Sequence, residues 1–457
     1  MRNWLPSYLH TTQARIRRTG MLQASPPVVL AAGFLGLIII GTLLLALPFS
    51  QAEPFSLFSA FFMATSAVTI TGLAVIEPGL SLTTFGQIVL ILLIQLGGLG
   101  FVTFAVISAI TLGKRMSLQH QALALEAFNQ TSVSKVRRTA FTVLKVSLLI
   151  ELCAAIILTL WWSPNMPLGS ALYNAAFHAI SAFNNAGLTL FPGSLAAYRD
   201  DVVVILTITS CIILGGLGFS VLSELRHKRK WATLMPYTKV VLLATAGLNL
   251  FGFIMIWLLE MNNPKTLMGL AWHDQALTSW LHSVTTRTAG FITIDITQMH
   301  DSSTLIMMIL MFIGGGSLST ASGIKIGTFV VLMAAVYSYV FHRKEIVLFK
   351  RSISPDTVQK SLALLLVTSA LILTGTLLIT IFEQERTPFM NILFEVVSAA
   401  TTTGLSRDTT PYLSTPSQAV LALLMFAGRL GPLTLIYSLA TQKRSRIRYP
   451  ETEFTVG

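Results

Sequence analysis

Eight strongly apolar runs divide the chain, at 28–47, 85–112, 141–162, 202–222, 240–259, 305–341, 362–382 and 419–440. Each reaches the length of about 20 residues that carries a helix across the hydrocarbon core of a bilayer. Inside each successive pair lies a shorter apolar stretch, at 55–67, 169–183, 276–286 and 388–401. At 1.5 Å of rise per residue these reach about 20 Å, too short to cross. They are predicted to dip in from outside and return. Non-helical backbone at membrane depth is tolerated only where protein or a water-filled cavity faces it. The pattern therefore predicts one unit, span, re-entrant helix, extended strand, span, used four times in the same orientation.

Small or polar residues and a glycine follow each short stretch: Thr69-Ile70-Thr71-Gly72-Leu73, Asn184-Asn185-Ala186-Gly187-Leu188, Arg287-Thr288-Ala289-Gly290-Phe291 and Thr401-Thr402-Thr403-Gly404-Leu405. The four glycines recur at intervals of 115, 103 and 114 residues, the signature of an internal repeat. Further glycines, at Gly97-Gly98, Gly215-Gly216, Gly314-Gly315-Gly316 and Gly428, lie 24 to 28 residues beyond them. They allow inner helices to approach closely or bend at a common depth.

Composition agrees: 53% hydrophobic, 11% charged and a mean hydropathy of +0.71 exclude a soluble domain of this size. The net charge of +12 does not indicate nucleic-acid binding, because 23 of the 31 Lys and Arg fall in five segments that alternate with acid-bearing connections. By the positive-inside rule the basic segments and both termini are cytoplasmic. The expected fold class is an all-α polytopic membrane protein. Its pore repeats are expected at 28–113, 139–225, 240–342 and 361–441, with cytoplasmic segments at 1–27, 114–138, 226–239, 343–360 and 442–457. Arg2, Arg15, Arg17 and Arg18 precede the first run without a cleavable leader pattern. Cys153 and Cys211 lie in apolar runs and read as packing residues.

A monovalent cation stripped of water needs oxygens on all sides, and backbone carbonyls supply them without a buried formal charge. Glycine accepts positive φ and so helps consecutive carbonyls turn to one axis. The candidate filter comprises Thr69, Ile70, Thr71, Gly72, Asn184, Asn185, Ala186, Gly187, Thr288, Ala289, Gly290, Thr402, Thr403 and Gly404. Each re-entrant helix would add the partial negative charge of its C-terminus. Arg287 is read as a brace whose guanidinium points away from the ions. His178 and His282 read as hydrogen-bonded packing residues. No His-Glu-x-x-His pair or nucleophile elbow suggests an enzyme. A solute carrier would favour paired broken helices, whereas this chain has one conspicuous break and four matching loops.

That break is in the sixth run, where Gly314, Gly315, Gly316, Ser317, Ser319, Thr320 and Gly323 are too rich in glycine and hydroxyls for continuous helix. Its place is beneath the filter, as a candidate gate ending at Lys325, which is read as snorkelling or paired. Arg429 stands in the last apolar run, where a charge costs about 2.5–3.5 kcal/mol on insertion scales. Two readings stand together. It repels a passing cation by about 3 kcal/mol at about 5 Å, or it donates to carbonyls freed by the broken helix.

The four glycine turns, the Gly-Gly-Gly-Ser interruption running to Gly323-Ile324-Lys325, and Arg429 together resemble the Trk/Ktr/HKT potassium transporter superfamily, over nearly the whole length. The short basic loops and the lack of added N-terminal spans are most similar to its KtrB type of subunit. The resemblance implies K⁺ held by carbonyls of the candidate filter residues, four repeats about a pseudo-fourfold central pore, and activation by Na⁺. It implies a homodimer in the bacterial plasma membrane on a cytoplasmic ring of KtrA-type subunits. ATP or ADP would bind that ring, since this chain has no dinucleotide motif of its own. No covalent cofactor is implied. Gly72 fits K⁺, because relatives with serine there favour Na⁺.

Overall fold

The computed structural model describes residues 26–100, 133–228, 230–384 and 386–431. Four repeats follow one another, each with a short helix between a preceding and a following helical segment, the latter split in two in repeats two and three. Repeat one holds α1 (Pro26–Leu45), the short α2 (Leu57–Val68) and α3 (Thr84–Leu99). Repeat two holds α4 (Val133–Trp162), the short α5 (Leu168–Phe183), α6 (Val202–Leu217) and α7 (Phe219–His227). Repeat three holds α8 (Pro236–Glu260), the short α9 (Trp272–Thr285), α10 (Asp301–Phe312) and α11 (Ile326–Val340). A two-stranded antiparallel hairpin, β1 (Val347–Leu348) and β2 (Arg351–Ser352), leads to repeat four: α12 (Pro355–Glu383), the short α13 (Phe389–Thr401) and α14 (Thr415–Leu430).

The short helices have 12, 16, 14 and 13 residues. The third begins at Trp272, ahead of the apolar stretch, because His273, Asp274 and Gln275 form a polar first turn.

The packing order closes the repeats into a ring. Each inner helix packs on the short helix of the following repeat: α3 on α5, α6 on α9, α10 on α13, and α14 back on α2. In repeats one, two and four it also packs on the short helix of its own repeat through a glycine. Side chains at Gly97, Gly215 or Gly428 would run into the carbonyls of Val68, Phe183 and Ala400, near the ends of α2, α5 and α13. Only a missing Cβ lets the backbones lie so close.

Polarity is inverted relative to a soluble protein. Leucine and isoleucine line exposed stripes on the outer helices, for instance Leu149, Leu152 and Leu160 on α4 and Leu366, Leu373 and Leu377 on α12. Serine, threonine and a few charged residues are buried among the short helices. The carboxylates of Glu260 and Glu383, ending α8 and α12, pin the starts of α10 and α14. Glu260 accepts from His300 N at 2.9 Å and Ser303 Oγ at 2.5 Å, and Glu383 from Ser414 N at 3.0 Å and Ser417 Oγ at 2.5 Å. Negative charge at a helix N-terminus is where the dipole favours it.

Three apolar runs are single helices long enough to cross among the described residues: Phe141–Trp162, Pro236–Glu260 and Pro355–Glu383. The expectation of one conspicuous break is corrected. The fourth run, expected to be continuous over 202–222, bends by 96° between α6 and α7 at Gly218, where φ is +98°. The second and eighth runs stop as helices at Gly100 (φ +78°) and Gly431 (φ +83°). Their remainders, with segments 1–25 and 101–132, lie outside the described residues. The sixth, as expected, breaks between Phe312 and Ile326, though its first helix begins at Asp301 rather than 305.

The glycine contacts make a direct stability test. Gly215→Ala drives a methyl into the Phe183 carbonyl and to 2.8 Å from Thr320 Oγ1, so it should destabilise by about 1–3 kcal/mol. Gly247→Ala, on α8 with nothing within 4 Å, should be neutral or stabilise by up to about 1 kcal/mol. Thermal melts of the purified protein in detergent distinguish the pair, and equal midpoints would contradict the close-packing account.

Candidate functional site

All four short helices end in the same backbone motif. Two residues before each repeat glycine a residue adopts positive φ: Ile70 (+50°), Asn185 (+57°), Thr288 (+66°) and Thr402 (+51°). The glycines follow at Gly72 (+96°), Gly187 (+68°), Gly290 (+79°) and Gly404 (+83°). In an ordinary extended strand successive carbonyls face opposite ways. Alternating the sign of φ breaks that alternation and brings neighbouring carbonyls towards one side. The sequence reading weighted the glycines and missed the four non-glycine positions, each of which costs about 1–2 kcal/mol. Ile70, Thr288 and Thr402, all β-branched, are less expected there than Asn185.

The four turns meet one another. A Cβ at Gly72 would stand 2.5 Å from the Ala186 carbonyl oxygen, one at Gly187 2.5 Å from that of Ala289, and one at Gly290 3.0 Å from that of Thr403. One at Gly404 would collide with the Thr71 carbonyl, which completes the circle. Each glycine thus faces the carbonyl of the residue before the next repeat's glycine. The side chains of Thr69, Thr71, Asn184, Asn185, Thr288, Thr402 and Thr403 are buried in the surrounding protein, as are the apolar anchors Leu73, Leu188, Phe291 and Leu405 behind the glycines.

Hydrogen bonds hold this strained backbone. Thr71 N, Ala186 N and Thr403 N donate to the carbonyls of Ser66, Ser181 and Ser398 at 2.9, 2.8 and 2.8 Å. Ser66 Oγ also accepts from Gly72 N at 3.0 Å, and Ser181 Oγ donates to Leu188 O at 2.7 Å. These serines were not singled out from sequence. Their signal is a constant offset, six residues before the glycine in repeats one, two and four, where repeat three has Val284. Thr69 pairs with Thr71, and Thr401 with Thr403, at 2.8 Å each.

Arg287 lies at the matching place in repeat three. Its buried guanidinium donates through Nη2 to Gly314 O at 2.6 Å, and it forms no ion pair among the described residues. It joins the third turn to the interrupted sixth run. His282 Nε2 accepts from Thr293 N at 3.3 Å, and His178 bonds Asn174 O and stacks on Phe191 with ring centroids 4.5 Å apart.

The interruption between α10 and α11 is a folded loop. Ile313 and Ile324 bridge in parallel, with Gly314 N donating to Ile324 O at 2.8 Å. Gly316 N donates to Gly216 O at 2.8 Å, Ser317 N to Tyr237 Oη at 2.6 Å, and Ser319 Oγ to Gly316 O at 2.6 Å. A side chain at Gly315 would strike Ala321 and Gly216, and Gly323 has φ of +67°. Thr320 Oγ1 reaches Phe183 O, at the end of α5, at 3.2 Å. The loop therefore lies against the base of the second turn.

Arg429 occupies the last turn of α14, where the helix dipole favours a cation. Nη1 donates to Thr320 O at 2.8 Å and Ser322 Oγ at 3.3 Å, and Nη2 to Gly97 O at 2.5 Å and Gly98 O at 3.3 Å. One side chain ties the loop of repeat three and the inner helix of repeat one to repeat four. Lys325 Nζ donates to Ala321 O at 2.6 Å.

Four re-entrant turns meeting inside a multi-pass helical protein define a membrane transport protein of the pore-loop kind. The chain belongs to the TrkH family of cation transport proteins, whose model matches residues 22–446. It is 43% identical over 433 residues to the Ktr system potassium uptake protein B of Bacillus subtilis, covering 95% of this chain and 97% of that one. The protein of the same name from Vibrio alginolyticus is 39% identical, with 94% and 95% covered. The crystal structure of the potassium transporter TrkH from Vibrio parahaemolyticus shares the fold, with a TM-score of 0.69 over 92% of this chain and 86% of that one at 19% identity.

Ser66→Ala removes the acceptor of the Gly72 N–H, a bond worth about 1 kcal/mol net. Hydrogen exchange followed by mass spectrometry should show the Gly72 amide exchanging about fivefold faster. An unaltered rate would mean that the hydroxyl does not hold the turn.

Proposed function

We propose that this chain is the K⁺-translocating subunit of a Ktr-type uptake system, conducting through its central ring of turns. The carrying observation is the closed circle in which each of Gly72, Gly187, Gly290 and Gly404 faces a carbonyl of the next repeat. The carbonyls of Thr71, Ala186, Ala289 and Thr403, with those of Ile70, Asn185, Thr288, Thr402 and the glycines, replace the hydration shell of K⁺. Thr69, Asn184 and Arg287 support the strands from behind. The printed names of the Bacillus and Vibrio relatives, potassium uptake proteins, support K⁺ as the ion. A relative from Enterococcus hirae, 32% identical, is named a potassium/sodium uptake protein, which keeps Na⁺ in view as activator or second ion.

The loop from Gly314 to Lys325 is the gate and Arg429 its latch. Two of its bonds hold the loop and two anchor the arginine to α3, and its charge opposes a cation there. A cytoplasmic, nucleotide-binding KtrA-type ring beneath a homodimer of this chain would move the loop, with both termini on the cytoplasmic side of the bacterial plasma membrane. The designation Ktr system in the relatives' names supports a second subunit.

Expression should restore growth of a K⁺-uptake-deficient bacterium at low K⁺, and Gly72→Ser should weaken discrimination between Rb⁺ and Na⁺ in liposome flux. Normal growth with Gly72→Asp would contradict the filter. Arg429→Ala frees the loop and should raise Rb⁺ flux severalfold, the loss of about 1 kcal/mol of restraint. Unchanged or lower flux in the folded variant would remove Arg429 from the gate.

A further inference from the structure

A single carboxylate lies deep among the helices around the second turn. Glu151, in the middle of α4, is 5% exposed and makes none of the ion pairs among the described residues. Its partners are amides. Gln95 Nε2, from α3 of repeat one, reaches Oε1 and Oε2 at 3.1 Å each. Asn184 Nδ2 reaches Oε1 at 3.3 Å, Gln95 Oε1 at 2.7 Å and Ile180 O at 2.9 Å. An ionisable side chain in a membrane protein core is retained at a cost and marks function more often than packing.

The position of Asn184 shows what the cluster does. It caps α5 and is followed directly by Asn185, the positive-φ residue of the second turn. In the other repeats the same place, three residues before the glycine, holds Thr69, Arg287 and Thr401. The two threonines are satisfied within their own turns. Asn184 and Arg287 reach outward instead, one to a carboxylate and one to the gate loop. Two adjacent turns are thus tied to groups beyond them, the second through Asn184 to Glu151 and the third through Arg287 to the gate loop. The Asn184 amide also presses on Gly98, where a side chain would overlap it, and the Gly98 carbonyl receives Arg429.

We propose that Glu151 is a positioning and permeation-determining residue. Its oxygens accept from Gln95 and Asn184 and so set the second turn beside the cation path. The proposal rests on the filter reading above.

The chemistry supplies a specific rescue. A carboxylate only accepts, whereas a glutamine both accepts and donates. Glu151→Gln therefore sets an amide NH₂ against an amide NH₂ and removes the charge. The exchange Gln95→Glu with Glu151→Gln restores one acceptor-only partner that Asn184 Nδ2 and the new amide can both reach, and it returns the charge to the cluster.

In liposomes, Rb⁺ uptake is measured against external Rb⁺ and against Na⁺ for wild type, Glu151→Gln and the exchange. Elution of a single symmetrical species checks assembly. Glu151→Gln should raise half-saturating Rb⁺ or lower the Rb⁺/Na⁺ ratio roughly tenfold, the effect of losing a hydrogen bond to a charged group. The exchange should return both to within about twofold of wild type. Wild-type behaviour of Glu151→Gln overturns the proposal, as does an exchange that fails to assemble or to restore transport. If Glu151→Gln itself does not assemble, recovery in the exchange decides. A wild type without Rb⁺ uptake would instead overturn the filter reading.

Discussion

The oxygen of one peptide group and the bare Cα of a glycine in the next repeat set the geometry from which the rest follows. Four such contacts close a circle, and a methyl group at any of them would open it. A carbonyl ring serves a cation only if nothing softer than backbone separates its members, because a dehydrated ion must find its oxygens already in place. The strain of four non-glycine residues at positive φ is sustained by the buried bonds and apolar anchors behind each turn.

Organisation around that ring explains why the protein is polar within and apolar without. Lipid-facing leucines need no partner, whereas each interrupted inner helix must find one for its free backbone groups. The helix ends at Gly100 and Gly218 and the loop after Phe312 are answered from neighbouring repeats: Phe219 N by Leu318 O, Gly316 N by Gly216 O, and the carbonyls of Gly97 and Thr320 by Arg429. Irregular backbone in one repeat is thereby completed by another. In the account proposed here, the elements that hold the ring also meet the gate.

Much of this was legible in the chain. Apolar run length and the glycine period place the short helices to within a few residues, since both depend on local composition and on a repeated unit. Arg287 as a hydrogen-bonding brace was also readable, and donation by Arg429 to freed carbonyls was one of two readings left open, because a lone arginine in an apolar run demands acceptors. Positive φ at Ile70 and Thr402 was not readable, since local propensity opposes it and only the assembled ring stabilises it. A bend near Gly215-Gly216 was allowed for, but its place at Gly218 was not readable, because the run 202–222 is otherwise apolar enough to read as continuous helix. The Glu151 cluster was not readable, as its partners lie 56 residues before it and 33 after it in the chain.

The central claim is that one ion site lies where the four turns meet. Anomalous diffraction from crystals grown with Rb⁺ tests it most directly. The account predicts Rb⁺ peaks on the common axis, within coordination distance of the carbonyls of Thr71, Ala186, Ala289 and Thr403. Ordered Rb⁺ bound elsewhere in the membrane region, with none on that axis, would contradict it.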